Sequence, residues 1–178
     1  IELIKYYDLI IIDNLNNSKK EVIDKIKEIS RKDNISFYNY DLLDKININN
    51  IFEKYNPYGV IHLAGLKSVN ESVNNPILYY KTNIISTINL VEIMEKNNCF
   101  NLIFSSSATV YGNQKSPFKE DLKIGKNITN PYGKTKYMIE EILKDLSISN
   151  KKWNIVSLRY FNPIGAHKSW LIGENPND

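Results

Sequence analysis

The chain has 178 residues, of which 42% are hydrophobic and 24% charged, a composition that suits one soluble α/β-sized domain. The net charge is +3 with basic and acidic residues interspersed, and no apolar run approaches the roughly eighteen residues of a membrane span, so we expect neither nucleic acid nor a membrane as partner. No secretory signal is visible, and the single Cys99 offers neither an internal disulfide nor a zinc-ligand cluster. We therefore expect a cytoplasmic protein without a metal site.

Five short apolar runs alternate with helical patterns along the chain. The predicted strands cover 8–13, 35–41, 60–64, 101–105 and 154–159, and the predicted helices cover 19–31, 46–55, 76–97 and 132–149. Strands that are apolar almost throughout and separated by helices indicate a parallel sheet covered on both faces. Asn130 before Pro131 predicts the N-cap of the last helix. The sequence predicts a doubly wound, Rossmann-like α/β fold.

The beginning of the chain departs from that fold. A dinucleotide-binding unit begins with a strand and a glycine-rich turn, whereas residues 1–7 read as the tail of a helix and no G-x-G-x-x-G or G-x-x-G-x-x-G occurs. We expect the first strand and its turn to be missing and the chain to be clipped at both ends. Because that strand is central in the usual order, we expect residues 1–178 alone to be inactive, without stable folding or dinucleotide binding.

Asp13 closes the apolar run 9–12, where nucleotide-binding folds place an acid that binds the adenine ribose. A carboxylate there accepts hydrogen bonds from the 2′-hydroxyl and repels a 2′-phosphate, which favours NAD over NADP. An ordinary turn acid after a strand is the alternative interpretation.

Tyr132 and Lys136 form a Tyr-x-x-x-Lys pair whose members share one helix face. A phenol ionises at about pH 10, so a tyrosine base needs a nearby positive charge such as that of Lys136. Tyr111 and Lys115 have the same spacing, in a predicted loop. Tyr132 is favoured because it opens a helix and follows a strand ending in the serines 105–107, at the sheet edge where such folds bind ligands. A polar strand-to-loop junction explains the serines equally well.

Longer blocks closely resemble the UDP-glucose 4-epimerase family of extended short-chain dehydrogenases/reductases. They are DNLNNS at 13–18, IHLAGLK at 61–67, ESV at 71–73, SSSATVYG at 105–112, NPYGKTK at 130–136 and LRYFNPIGAH at 158–167. The resemblance runs in register along the whole chain and covers roughly the first half of a family member. Tyr6 and Trp170 stand where the family usually has glycine.

The resemblance implies a role for each matching position. Catalysis would fall to Ser107, Tyr132 and Lys136. Binding of NAD would involve Asp13, Asn14, Leu15, Asn16, Asn17, Ser18, Asp41, Leu42, Leu63, Ala64, Gly65, Leu66, Lys67, Asn83, Tyr132, Lys136 and Phe161. The UDP-hexose would contact Ser107, Thr109, Tyr132, Tyr160, Phe161 and Asn162. Residues 1–162 would form the NAD-binding domain and 163–178 the start of the substrate-binding region.

The implied reaction is the NAD-dependent interconversion of UDP-galactose and UDP-glucose through a 4-keto sugar, a step of galactose metabolism. The resemblance also suggests a homodimer through the helices at 76–97 and 132–149. A sugar-nucleotide 4,6-dehydratase is a weaker alternative, because elimination needs an extra acid and base and residues 107–109 contain no carboxylate. An epimerase of another UDP-sugar and an inactive, truncated or regulatory module remain alternatives.

Overall fold

The computed structural model describes residues 1–173 and confirms the α/β class with parallel strands. The strands are β1 (Leu9–Ile12), β2 (Ile35–Tyr38), β3 (Val60–His62), β4 (Asn101–Ser107) and β5 (Asn154–Tyr160). The α-helices are α1 (Glu21–Ser30), α2 (Lys45–Tyr55), α3 (Val69–Asn74), α4 (Pro76–Tyr79), α5 (Ser86–Lys96) and α6 (Pro131–Ser149). Two 3₁₀ turns, Leu3–Lys5 and Ala108–Tyr111, and a π-helical segment, Tyr80–Ile85, complete the structure. Within the described residues, no helix is both long and apolar enough to span a bilayer.

The chain divides into two compact units. The first comprises Ile1–Asp41 and the described part of Pro163–Asp178, and the second comprises Leu42–Asn162. The predicted domain boundary after residue 162 stays a prediction, and positions 174–178 of the predicted 163–178 region lie outside the described residues.

In the first unit, β1 and β2 pair in parallel, with Leu9 opposite Ile35. Its core joins the buried side chains of Ile4, Ile23 and Ile35. Ile35 belongs to the sheet, Ile23 comes from α1 and Ile4 from the 3₁₀ turn, so apolar residues of two further elements cover this short sheet. The ladder ends where the Asp13 amide donates to the Tyr38 carbonyl at 3.2 Å. The predicted strand 35–41 is therefore too long, because the residues beyond Tyr38 have left the ladder.

In the second unit, three parallel strands lie in the order β3-β4-β5. Leu102 and Phe104 are each 1% exposed, whereas Ile103 between them is 36% exposed. This alternation is the two-residue period of a strand with one covered face. Pairing with β5 extends β4 beyond the apolar run 101–105 and through the serines to Ser107, opposite Tyr160.

Helix α6 begins as predicted. The Asn130 side chain accepts a hydrogen bond from the Gly133 amide at 2.8 Å, and Pro131 occupies the first turn. An asparagine cap satisfies an otherwise unpaired amide, and proline has no amide to satisfy, so both residues favour a helix start here. Ile139 and Leu143, one turn apart, are each 1% exposed and form the covered face.

The predicted helix 76–97 is observed as three successive helical segments. It consists of α4, the π-helical segment and α5, and the short α3 precedes it without having been predicted. The hydrophobic pattern of the sequence does not reveal where a helix widens locally, which is why the prediction gave a single span.

The two positions where the family usually has glycine behave differently. Tyr6 has φ −124°, which any residue can adopt. Trp170 has φ +62°, in the left-handed region that favours glycine, and its side chain is 90% exposed. A bulky residue in that region carries strain of about 1–3 kcal/mol. At position 170, the loop after His167 thus has a backbone conformation typical of glycine, although the residue is tryptophan.

Candidate active site

The carboxyl end of β4 presents two hydroxyl groups. Ser107 is 8% exposed and caps the following 3₁₀ turn, because its oxygen accepts from the Thr109 amide at 3.2 Å. The Thr109 hydroxyl donates to the same oxygen at 3.0 Å. The Ser107 oxygen is therefore an acceptor for two donors, and its own hydrogen can be donated to a further group.

The first turns of α6 bring Tyr132 and Lys136 together. They lie one helical turn apart, and the Lys136 ammonium is 5.9 Å from the centre of the Tyr132 ring. The Thr135 hydroxyl donates to the Tyr132 carbonyl at 2.7 Å. The spacing in the sequence predicted this shared face, and the structure supplies the distance.

Lys136 is a buried cation. Its side chain is 5% exposed, and its Nζ donates to the Ser105 carbonyl at 2.7 Å and lies 4.9 Å from the centre of the Phe104 ring. Burial lowers the pKa of Lys136 to about 8, because the charged form loses its hydration. At pH 7 the ammonium form still exceeds the neutral amine by about tenfold.

The loop after β3 is held by Asn83, which lies in the π-helical segment and is 2% exposed. The Asn83 side chain accepts from the Leu66 amide at 2.8 Å and donates to the Leu66 carbonyl at 3.1 Å. At Gly65 (φ +149°), an added Cβ would lie 3.1 Å from the Asn83 Oδ1 and 4.0 Å from the Lys136 Nζ. The positive φ and the tight approach to Asn83 therefore favour glycine at this position.

His62, at the end of β3, is a second buried polar group, and it is connected to Asn83 through Thr87. Its Nε2 lies 2.9 Å from the Thr87 hydroxyl, which donates to the Asn83 carbonyl at 2.8 Å. Because the hydroxyl hydrogen is already used, the His62 Nε2 must be the donor in this contact. Burial, with a smaller effect of the Lys136 charge, lowers the pKa of His62 to about 3.

The residues after β5 are open to solvent. Tyr160 is 44% and Phe161 61% exposed, and Asn162 is exposed as well. Phe161 stacks on Phe118 with ring centres 6.0 Å apart, and Phe118 stacks on Tyr111 at 5.0 Å. These stacked rings fix the direction in which the chain leaves the sheet.

In the first unit, the turn after β1 is organised by Asp13. Its Oδ1 accepts from the Leu15 amide and from the Ser18 hydroxyl, both at 2.7 Å. Leu15 has φ +58°, and Asn14 donates to Asp41 at 2.9 Å. The predicted residues Asp13, Asn14, Leu15 and Ser18 thus form one hydrogen-bonded turn at the carboxyl end of β1, and Asn14 connects this turn to the predicted Asp41.

The other residues predicted to bind the cofactor are mostly exposed. Asn16 bonds its amide to the Asn14 side chain at 3.1 Å, and Asn17 is exposed. Leu63, Ala64 and Lys67 are exposed on the loop after β3, and Leu42 is half-buried. Their roles stay predictions.

Three side chains near the candidate catalytic residues were not predicted. Glu140 and Arg159 form an ion pair with a 2.9 Å contact, and the Thr135 hydroxyl accepts from Asn83 at 3.1 Å. The sequence carried one signal for Glu140, which stands four residues after Lys136 on the same helix face. It carried none for the pairing with Arg159, which depends on the distance between a helix and a strand that are far apart in the sequence.

Residues 2–174 match the NAD dependent epimerase/dehydratase family, so the chain belongs to that family. Within it, the chain is 48% identical over 172 residues to the UDP-glucose 4-epimerase of Bacillus subtilis. The aligned residues cover 96% of this chain and 50% of that protein. It is 47% identical over 180 residues to the UDP-glucose 4-epimerase of Dictyostelium discoideum, with coverage of 100% and 52%. The chain spans about half the length of the curated relatives it matches.

A solved structure is similarly close. The crystal structure of UDP-glucose 4-epimerase from Bifidobacterium longum, in complex with NAD⁺ and UDP, superposes with a TM-score of 0.96 at 44% identity. The superposition covers 99% of this chain and 53% of that one.

Proposed function

We propose that the protein containing this chain interconverts UDP-galactose and UDP-glucose by epimerisation at C4 of the hexose, with NAD as its cofactor. The observation that carries the proposal is the buried Lys136 ammonium, 5.9 Å from the centre of the Tyr132 ring. A fixed positive charge beside a phenol favours the phenolate and so makes a general base of tyrosine. The names of the relatives support the substrate class.

The proposed cofactor residues fit a dinucleotide. Asp13 offers a carboxylate at the carboxyl end of β1, where parallel-sheet folds bind a ribose, and it favours a 2′-hydroxyl over a 2′-phosphate. In the second unit, Gly65 keeps the loop after β3 free of a side chain next to Lys136. Exposed Leu63 beside it offers an apolar surface to a nicotinamide. When bound, NAD supplies reversible hydride acceptance at C4 of the sugar.

The chain's own residues then handle the proton. Tyr132 takes the proton of the 4′-hydroxyl as the 4-keto sugar forms, and it returns this proton when the hydroxyl is restored. Lys136, which is itself buried, remains protonated at neutral pH and stabilises the phenolate. Ser107 donates its hydroxyl hydrogen to the reacting oxygen and holds that oxygen beside the phenol, while Thr109 orients the serine.

The residues beyond β5 complete the proposed binding site for the UDP-sugar. Tyr160, Phe161 and Asn162 follow a strand that pairs directly with the Ser107 end of β4, and they are open to a ligand. A homodimer, a cytoplasmic location and a place in galactose metabolism belong to the same proposal. Exposed apolar side chains on the helices, among them Ile77 (76%) and Met138 (42%), support the dimer.

The alternatives differ in what they require of the site. A 4,6-dehydratase needs an additional acid and base beside the tyrosine, whereas residues 107–109 carry only hydroxyl and methyl groups. Epimerisation of an N-acetylated UDP-sugar would use the same Ser107, Tyr132 and Lys136. An inactive binding module would have no use for a buried cation beside a tyrosine.

The test is an assay of the purified, NAD-loaded protein with UDP-galactose, UDP-N-acetylgalactosamine and UDP-glucose as separate substrates. We expect UDP-glucose from UDP-galactose and no 4-keto-6-deoxy product. Turnover of only the N-acetylated substrate would replace the substrate in the proposal, and NAD binding without turnover would support the binding module.

A further inference from the structure

A buried carboxylate, Glu140, joins α6 to the ends of two strands. Glu140 is 8% exposed and accepts a hydrogen bond from the Ser106 hydroxyl. The Arg159 Nε donates to its two oxygens at 3.1 and 3.2 Å, and the Arg159 Nη2 donates to Oε2 at 2.9 Å. Ser106 and Arg159 are cross-strand partners on β4 and β5. The Glu140 carboxylate therefore connects both β4 and β5 to α6, at one cross-strand pair.

Each member of this group is adjacent to a residue of the proposed site. Ser106 precedes Ser107 on β4, Arg159 precedes Tyr160 on β5, and Glu140 follows Lys136 by one helical turn. Consecutive strand residues point to opposite faces, so a side chain anchored on one face fixes the backbone that presents its neighbour on the other.

Arg159 extends the same connection to the segment after β4. Its Nη1 donates to the Tyr111 hydroxyl at 3.2 Å and to the Glu120 carbonyl at 3.1 Å. Tyr111 closes the 3₁₀ turn that contains Thr109, which in turn donates to Ser107. The guanidinium thus holds the residue that closes the 3₁₀ turn and, through Glu120, a point further along the segment that follows this turn.

We propose that Glu140 is a positioning residue, which acts through Ser106 and Arg159 to hold the Ser107 hydroxyl in line with the Tyr132 phenol. The inference rests on the proposed epimerisation. Proton transfer requires heavy atoms within about 2.6–3.2 Å, and a displacement of about 1 Å lowers a rate roughly a hundredfold. Binding of the UDP-sugar depends on many other contacts, so the loss falls on kcat and hardly on KM.

The test uses the complete, NAD-loaded protein with the variants Glu140→Gln and Ser106→Ala. Glu140→Gln keeps the shape and removes the charge, and Ser106→Ala removes only the connection to β4. The matched control is Glu92→Gln, which breaks an exposed ion pair between Lys45 of α2 and Glu92 of α5. We expect both test variants to keep their NAD and their KM and to lose kcat by about tenfold or more, while Glu92→Gln stays at the wild-type rate.

A purely structural ion pair gives a different result. It would lower the melting temperature of Glu140→Gln and leave the kcat per folded molecule of both test variants unchanged, which would overturn the inference. If Glu140→Gln does not fold, Ser106→Ala decides alone by the same criterion. A wild-type protein without epimerase activity would refute the proposed function itself, whereas an active wild type with unaffected variants would refute only the role of Glu140.

Discussion

At the scale of single residues, Lys136 shows a conflict between burial and charge. Its side chain is 5% exposed and its pKa is lowered to about 8, yet it remains protonated at neutral pH. A pKa lowered from 10.5 to about 8 corresponds to roughly 3 kcal/mol of destabilisation of the charged form. A core position of this kind would be more stable with an apolar residue. The proposed task of favouring the Tyr132 phenolate accounts for a charged residue at this position.

The first residue-scale prediction concerns Tyr132→Phe. It removes only the proton acceptor, so epimerisation should fall by about a hundredfold or more while NAD binding stays close to normal. Initial rates and bound NAD per subunit provide the measurement. Tyr137→Phe is the control, since Tyr137 lies on the same helix and its ring packs near Gly125. Tyr111 is a poorer control because its hydroxyl accepts from Arg159. Equal losses in Tyr132→Phe and Tyr137→Phe would contradict the assignment.

The second residue-scale prediction concerns acid stability and His62. The pKa of His62 falls from 6.5 to about 3 on folding, so between these values the unfolded chain binds a proton that the folded chain does not. The free energy of unfolding must then decrease as the pH falls from 6.5 towards 3. His62→Gln keeps a nitrogen donor for Thr87 and has no such proton.

Urea unfolding at pH 7 and pH 4 provides the measurement for His62. The wild type should lose about 3 kcal/mol more than His62→Gln between these two pH values. Equal losses in the two proteins would show that His62 takes up its proton in the folded state as readily as in the unfolded chain.

The sequence predicted some residue-scale features and missed others for a physical reason. The proximity of Tyr132 and Lys136 follows from helix geometry, because positions four apart share a face. Asn83 was expected to face the cofactor, and that role is still a prediction; its amide group is engaged by Leu66 and Thr135. Contacts of that kind join distant segments of the chain, and local spacing does not encode them.

At the scale of elements, the cap of α6 is the feature that links stability to the site. Asn130 is 7% exposed and bonds the Gly133 amide, and the helix that it begins carries Tyr132 in its first turn. The sequence predicted this cap because asparagine before proline is a local signal. It did not predict the π-helical segment, whose extra residue per turn has no signature in the hydrophobic pattern.

Asn130→Ala should reduce the free energy of unfolding by about 1 kcal/mol and leave a buried amide without its partner. Ser68→Ala is the matched control, because Ser68 caps the short α3 through a longer, exposed 3.3 Å contact with Glu71. Denaturant midpoints measure both. A loss in the control as large as in Asn130→Ala would show that burial of the cap does not matter.

At the scale of the whole molecule, one face of the β3-β4-β5 sheet exposes apolar side chains. Ile61, Ile103 and Val156 are cross-strand neighbours, and they are 46%, 36% and 52% exposed. Parallel sheets are normally covered on both faces. Among the described residues, β1 is hydrogen-bonded to β2 and β3 is hydrogen-bonded to β4, in two separate sheets. Each of β1 and β3 therefore has a strand partner on one side only.

We therefore expect a polypeptide of residues 1–178 alone to be unstable and not to bind NAD. An exposed apolar face removes a large part of the hydrophobic free energy, and the net stability of a domain is only about 5–15 kcal/mol. Thermal unfolding of the purified polypeptide with and without NAD tests this expectation. A cooperative transition that moves to higher temperature with NAD would contradict it.

The central claim is that the protein inverts C4 by removing and returning a hydride, with Tyr132 handling the proton. The most direct measurement is the conversion of UDP-galactose deuterated at C4 of the hexose, followed by mass spectrometry of the product. A hydride carried on a nicotinamide carbon does not exchange with water, so the account predicts UDP-glucose that keeps its deuterium at C4. UDP-glucose that has lost the label to solvent, or no UDP-glucose at all, would contradict the account.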